Sequence, residues 1–209
     1  CLLQPGRHLP HLAPAFGHAL QPQKVNIGCV LMAAGTASRF GANKLLHKVD
    51  GQSMIARVLD AAPAHLFARA VAVVSDAQVE HIAVEAGYQP IWNPDPARGQ
   101  GTTIALGAAT MDDMDAVMFC VGDQPYLTRD SVRRLISGHD LGSITSLSFQ
   151  GKRGNPVVFP DFCMPELAAL KPEQTGRAVI ARHLECIQLV EAQNGRELHD
   201  IDTPHDLNA

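Results

Sequence analysis

Two short segments carry the residues best suited to chemistry on a polyphosphate. In the first, an apolar run from Val25 to Met32 gives way to Ala33, Ala34, Gly35, Thr36, Ala37 and Ser38, then to Arg39, Phe40, Gly41, Ala42, Asn43 and Lys44. Small side chains let backbone N–H groups approach a phosphate closely, and Arg39 and Lys44 supply charge to neutralise it. In the second, the apolar run Val117–Val121 leads into Gly122, Asp123, Gln124 and Pro125. A carboxylate delivered at the end of a strand suits Mg²⁺, a hard ion that shares its shell among one or two carboxylates, phosphate oxygens and water. Taken singly, the first segment reads equally as a surface loop of small residues and Asp123 as a turn residue. Together they predict a nucleotide site.

The spacing excludes two commoner phosphate loops. A Walker A loop places lysine directly after its second glycine and follows it with Ser or Thr. Here Ala42 and Asn43 separate Gly41 from Lys44, and Leu45 follows. The dinucleotide fingerprint needs three closely spaced glycines, whereas only Gly35 and Gly41 are present.

Residues of this kind need a frame that brings loop ends together. Apolar runs at Val25–Met32, Ala70–Val74 and Ala116–Val121 predict strands, the last two buried, joined by strands at Pro90–Trp92, Ile144–Phe149, Pro156–Phe159 and Cys186–Val190. Helices are predicted over Ser53–Ala62, Asp76–Ala86, Thr102–Met111, Thr128–Ser137 and Gly176–His183, with a short one ending near Ala168. A turn is expected over Gly151–Gly154. Alternating strands and helices imply βαβ units, an α/β class and a largely parallel sheet with helices on both faces. Ligands of such sheets bind at the carboxyl ends of the strands. The loops after Met32, Val74, Trp92 and Val121 are therefore expected on one rim.

Composition narrows the classes further. The 209 residues suffice for one sizeable core, and residues 25–209 are expected to form a single domain behind a poorly ordered extension over 1–24, which holds four prolines. A net charge of −4 and an aromatic content of 5% argue against a broad nucleic-acid surface. The five cysteines form no C-x-x-C pair, and no histidine spacing suits zinc. The scattered thiols and the lack of a long apolar run point to a cytoplasmic protein without a membrane span.

The run from Leu31 through Ala33, Ala34, Gly35, Ser38, Arg39, Phe40 and Gly41 to Lys44 resembles the Ala-Gly-x-x-x-Arg-x-Gly-x-x-Lys signature of nucleotidyltransferases that make activated sugars and dinucleotide cofactors. With Gly122-Asp123-Gln124-Pro125, it is similar to the molybdenum-cofactor cytidylyltransferases, a MobA-like group of NTP transferases. The likeness continues through Asn93 and Gly99–Thr103, through Gly154-Asn155-Pro156-Val157, and through Asp200–Leu207. It implies a three-layer α/β/α Rossmann-like nucleotidyltransferase fold with a mostly parallel mixed sheet. It also implies Mg²⁺-dependent transfer of CMP from CTP to molybdopterin, with a molybdenum hydroxylase as the recipient of the product.

By the same resemblance, Ala33 to Ser38 cradle the triphosphate, Arg39 and Lys44 stabilise its charge, and Asp123 and Asp202 hold the metal. Asn93, Gly101, Thr102 and Thr103 meet base or ribose, and Gln124, Pro125, Asn155 and Arg177 meet the acceptor. Asp200 competes with Asp202 for the metal, and Lys152, Arg153 and Arg98 are further cations near the loops. Two departures stand out: Thr102 and Thr103 replace serines, and Pro172–Arg177 replaces a Gly-Asp-x-Gly-Ala-Arg run. A transferase using GTP or UTP with another phosphorylated acceptor, and a non-catalytic nucleotide- or cofactor-binding accessory protein of a molybdenum enzyme, are the alternative readings.

Overall fold

The computed structural model describes residues 25–35, 43–203 and 206. The expected extension over 1–24 and most of the first loop, including Thr36, Ala37, Ser38 and Arg39, lie outside the described residues.

Among the described residues, nine strands and six α-helices follow in the order β1 (Ile27–Ala33), β2 (Lys48–Val49), β3 (Gln52–Ser53), α1 (Met54–Ala61), β4 (Arg69–Val74), α2 (Ala77–Glu85), β5 (Gln89–Trp92), α3 (Gln100–Ala108), β6 (Ala116–Val121), α4 (Arg129–Ser137), β7 (Ile144–Phe149), β8 (Lys152–Pro160), α5 (Met164–Ala168), α6 (Gly176–Ile180) and β9 (Ile187–Glu191). Seven strands form one sheet in the order β5-β4-β1-β6-β8-β7-β9, while β2 and β3 form a separate hairpin. β1 runs parallel to β4 and β6, β5 parallel to β4, and β9 parallel to β7. β8 alone in this sheet is reversed, antiparallel to both β6 and β7.

Strand residues alternate between two cores. Cys29 and Leu31 of β1 pack with Ile55 and Val58 of α1, Val79 of α2 and Leu135 of α4. Val30 packs on the opposite face with Ile104 of α3, Leu167 of α5 and Val179 of α6. Both faces of the sheet are therefore covered, which explains why β4 and β6 read as unbroken apolar runs rather than alternating ones. Helix starts follow their capping residues. Ser53 accepts from the Ala56 N–H, Asp76 from those of Gln78 and Val79, and Thr128 from that of Ser131.

The structure departs from the sequence expectation in four places. β8 begins at Lys152, so the turn shrinks to Gln150 and Gly151, whose φ values of 51° and 75° suit a tight two-residue hairpin. α3 begins at Gln100, two residues early, because Gly99 at φ 132° breaks the preceding chain there. α6 ends at Ile180; the Arg182 and His183 amides donate three residues back, to Val179 and Ile180. The β2–β3 hairpin was not foreseen. Its Asp50-Gly51 turn, with φ 50° and 86°, is a strong hairpin signal, but two-residue strands leave no alternation to detect.

The carboxyl ends of β1, β4, β5 and β6 do lie on one rim. Ala33 is level with Val74, Val74 with Trp92, and Met32 with Val121. Among the described residues no helix is long and apolar enough to cross a membrane.

Candidate active site

β6 is buried at every position and delivers its next residues to this rim. The Gly122 amide donates to the Met32 carbonyl at 3.1 Å, which ties the loop after β6 to the end of β1. Asp123 follows directly. Lys44 opens a single 3₁₀ turn, Lys44–Leu46, whose start is capped by the Asn43 side chain accepting from the Leu45 amide. Its buried neighbour Leu45 fixes that turn in the core beneath α1. The Ile201 amide donates to the Asp123 carbonyl at 3.0 Å, and this bond brings the closing segment of the chain alongside.

The three side chains then meet. Lys44 Nζ donates to Asp123 Oδ2 at 2.7 Å and to Asp202 Oδ1 at 2.9 Å. The Lys44 and Asp123 side chains are 15% and 22% exposed, whereas that of Asp202 is 64% exposed. Burial alone would lower the Lys44 pKa, but the Asp123 and Asp202 carboxylates outweigh it and hold the ammonium above the ordinary lysine range. Asp200 takes a different place from Asp202. It accepts from Gln124 Nε2 at 2.8 Å, and desolvation together with the Asp123 charge pushes its carboxyl pKa up.

A divalent cation fits this donor set. Two carboxylates already converge on one positive charge, with Asp200 beside them. No group of three or more His, Cys, Asp or Glu side chains among the described residues is arranged to hold a metal alone. Two carboxylates completed by phosphate and water is the mode Mg²⁺ prefers, in contrast to an all-protein cage.

Beside Asp123 opens a cleft of about 900 Å³ lined by residues of β1, β6, β8 and α6. Phe119 and Phe159 meet edge to face in its wall, with ring centroids 5.8 Å apart. Asn155 and Arg177 line the cleft, as do Lys152, Arg153 and Asp200. Gln100 lines it too and was not singled out in the sequence, where its place between two glycines was the available signal. Gln124 is buried and bonded to the Leu198 carbonyl and Asp200, and the buried Pro125 offers its carbonyl to Arg57. Neither is among the residues lining the cleft.

The residues expected to meet base or ribose are held mostly by one another. Asn93 Nδ2 donates to Thr103 Oγ1 at 3.1 Å, and both residues are buried. Thr102 Oγ1 donates to the Gly99 carbonyl at 2.9 Å. Ala33 and Ala34 are buried at the end of β1, and Gly35 is exposed. At Gly101 a Cβ would sit 1.9 Å from the Lys171 carbonyl oxygen, so only glycine lets the 171–174 segment dock on the start of α3. That segment leads into Thr175–Arg177, which the cleft contains.

Known proteins similar to this chain bear on its fold and family. The purine catabolism protein PucB of Bacillus subtilis (strain 168) is 28% identical over 194 residues, covering 86% of this chain and 93% of PucB. Nicotine blue oxidoreductase of Paenarthrobacter nicotinovorans is 26% identical over 188 residues, covering 83% of this chain and 91% of its own. The crystal structure of Rv0371c from Mycobacterium tuberculosis H37Rv superposes with a TM-score of 0.73 at 21% identity, over 88% of this chain and 96% of that one. The same mycobacterial protein has been solved as a complex with manganese. At that identity the likeness shows the shared fold alone. The MobA-like NTP transferase domain matches residues 29–187, a span that begins in β1, includes Lys44 and Asp123 and ends at β9, and the chain therefore belongs to that family.

Proposed function

We propose that this protein is a divalent-metal-dependent nucleotidyltransferase that moves CMP from CTP to the terminal phosphate of molybdopterin. The observation that carries the reading is the convergence of Lys44 with Asp123 and Asp202 beside a cleft that also presents Lys152, Arg153 and Arg177.

A phosphate oxygen of the acceptor attacks the α-phosphorus of the nucleotide. The bond from that phosphorus to the bridging oxygen breaks, and pyrophosphate leaves with the electron pair. The nucleophile is already ionised near neutral pH, so no side chain has to remove a proton. The protein aligns the two phosphates and offsets their charge. Lys44 stands between donor and acceptor near the α-phosphate, and Arg39 with the backbone of Ala33 to Ser38 receives the β- and γ-phosphates. Asp123 and Asp202 would hold Mg²⁺, which supplies Lewis-acid stabilisation of charge on the α-phosphate oxygens. Asn93, Gly101, Thr102 and Thr103 shape the nucleoside side. Asn155 and Arg177 face the acceptor, and Gln124 and Pro125 support that side from beneath.

A second reading keeps the transfer and changes the substrates to GTP or UTP and another phosphorylated acceptor. It is favoured by Thr175–Arg177, which belong to the run that departs from the family pattern and line the cleft. Pyrophosphate release, measured with CTP, GTP, ATP and UTP in parallel and with molybdopterin or sugar phosphates as acceptors, separates the two. Release from CTP only with molybdopterin is expected. Binding of nucleotide without release for any acceptor would instead identify an accessory protein.

A further inference from the structure

Lys44, Asp123 and Asp202 come from three segments far apart in the chain, and the sheet positions only one of them. Asp123 follows β6, whereas Lys44 precedes the β2–β3 hairpin and Asp202 lies near the end of the chain. A small separate core joins these parts. Val49, Met54 and Ile201 pack together, each 5% exposed or less, with Tyr126 against them. Ile201 is the neighbour of Asp202, Tyr126 comes three residues after Asp123, and Val49–Met54 links the Lys44 turn to α1.

Two arginines meet at the ring of Tyr126. The Arg196 guanidinium carbon lies 3.8 Å from the ring centroid, and Arg196 Nη2 donates to Tyr126 Oη at 3.0 Å. The Arg57 guanidinium carbon lies 5.8 Å from the same centroid. Arg57 Nε donates to the Pro125 carbonyl at 2.8 Å and Nη1 to that of Val49 at 3.3 Å, so one side chain ties the Asp123 loop to the hairpin. The loop that carries Arg196 has its own fastening elsewhere. The fully buried Glu197 accepts from the Thr128 hydroxyl at 2.7 Å and from the Gln193 amide at 3.0 Å. Arg196 is therefore not needed to keep its loop folded.

We propose that Arg57, Tyr126 and Arg196 form a positioning clamp that sets the reach of Asp202 toward Lys44 and Asp123. This rests on the nucleotidyl-transfer reading for its catalytic consequence and on packing alone for its structural one. Cation–π contacts of this kind hold a geometry at modest energy. Small displacements of a charged group can cost far more in rate than in stability. The clamp therefore acts on the chemical step and on the divalent-ion requirement, and only weakly on nucleotide affinity.

The test compares Arg196→Ala and Tyr126→Ala with Tyr126→Phe, which keeps the ring, and with Arg69→Ala. Arg69 pairs with Asp113 at 2.6 Å and serves as an ion-pair control outside the clamp. Hydrogen exchange at the Ile201 amide is the readout independent of activity. It is expected to accelerate roughly tenfold in the two alanine variants of the clamp and to stay within about twofold in Tyr126→Phe and Arg69→Ala. In Arg196→Ala and Tyr126→Ala, kcat should fall by about tenfold or more and the half-saturating Mg²⁺ concentration rise several-fold, with the KM for nucleotide changed by less than about threefold. Arg196 is exposed, so Arg196→Ala carries the comparison should Tyr126→Ala fail to fold. Unchanged Ile201 exchange in Arg196→Ala, or equal acceleration in Arg69→Ala, overturns the clamp. Absence of pyrophosphate release by the unmodified protein would strike the transfer reading alone, because the exchange comparison still decides the clamp.

Discussion

The Lys44 ammonium donates to the Asp123 carboxylate at 2.7 Å across 79 residues of chain, and the same nitrogen reaches Asp202 across 158. One cation thus offsets two carboxylates that would otherwise repel each other at short range. Under the proposed function, an arriving polyphosphate would exchange these partners, drawing the lysine to phosphate oxygens and leaving the two carboxylates to a metal ion.

Asp123 should therefore matter for rate far more than for folding. In Asp123→Ala the lysine keeps Asp202 as a partner, and no buried charge is left alone. Turnover should drop by roughly a hundredfold or more, the usual cost of removing one electrostatic contact to the transition state. The thermal midpoint should move by only a few degrees. Pyrophosphate release and a melting curve on the purified variant check both parts, and near-normal turnover would remove Asp123 from the metal site.

Lys44 has a signature in pH as well as in rate. Its carboxylate partners outweigh the effect of burial and raise the folded-state pKa above the ordinary lysine value. A cation bound more tightly to its proton when folded contributes stability that is complete below the unfolded pKa. That contribution is lost as pH rises through the folded one. It is intact at neutral pH and fades above about pH 10. Urea midpoints measured from pH 9 to 11.5 should fall more steeply for the unmodified protein than for Lys44→Met, and parallel curves would contradict the ion pair. At neutral pH, Lys44→Met should also lower turnover by roughly a hundredfold.

The order of the central elements was legible because β4 and β6 read as short apolar runs and α1, α2 and α4 carry their capping side chains in the sequence. Lys44, Asp123 and Asp202 were legible as residue types at motif positions. Their mutual contact was not, since no local pattern encodes an approach across such a length of chain. Tyr126, Arg57 and Arg196 escaped notice for the same reason: each is an ordinary residue of a loop or helix until the closing segment folds beside the second loop. Gln124 illustrates the opposite error. A polar residue next to Asp123 reads as a ligand-facing group, but its amide is used internally to hold Asp200 and the Leu198 carbonyl.

Gly101 provides a packing test at the start of α3. An added Cβ would meet the Lys171 carbonyl oxygen at 1.9 Å and that of Gln174 at 2.9 Å, both backbone atoms that cannot rotate away. Gly101→Ala should cost about 1–3 kcal/mol, the range for overpacking a close contact. It should also displace the segment leading to Arg177, raising the KM for the acceptor more than that for the nucleotide. Gly151→Ala makes a useful contrast, because its Cβ would meet nothing within 4 Å and only the φ of 75° opposes it. Equal stability of Gly101→Ala and the unmodified protein in urea would show that α3 and the 171–174 segment are not packed as described.

The thiols report on the two cores directly. Cys29, Cys120 and Cys163 are buried, and Cys186 is half-buried. Burial pushes the Cys163 thiol up to about 12, helped by the charge of Glu166. At pH 8 its thiolate fraction is then on the order of 10⁻⁴, against roughly a quarter for an unperturbed thiol. Cys120 is also held well above the ordinary range, by its contact with Cys29 and by burial. A disulfide reagent such as DTNB should therefore label Cys186 in the native protein within minutes. Cys29, Cys120 and Cys163 should react only at the rate of unfolding. Peptide mapping after a timed quench distinguishes the sites. Adding urea to the unfolding midpoint should release all three buried thiols together, since Cys29 and Cys120 lie on one face of the sheet and Cys163 on the other. Early labelling of Cys163 alone would mean that the α5 side opens independently, and the sheet would then not unfold as one cooperative unit.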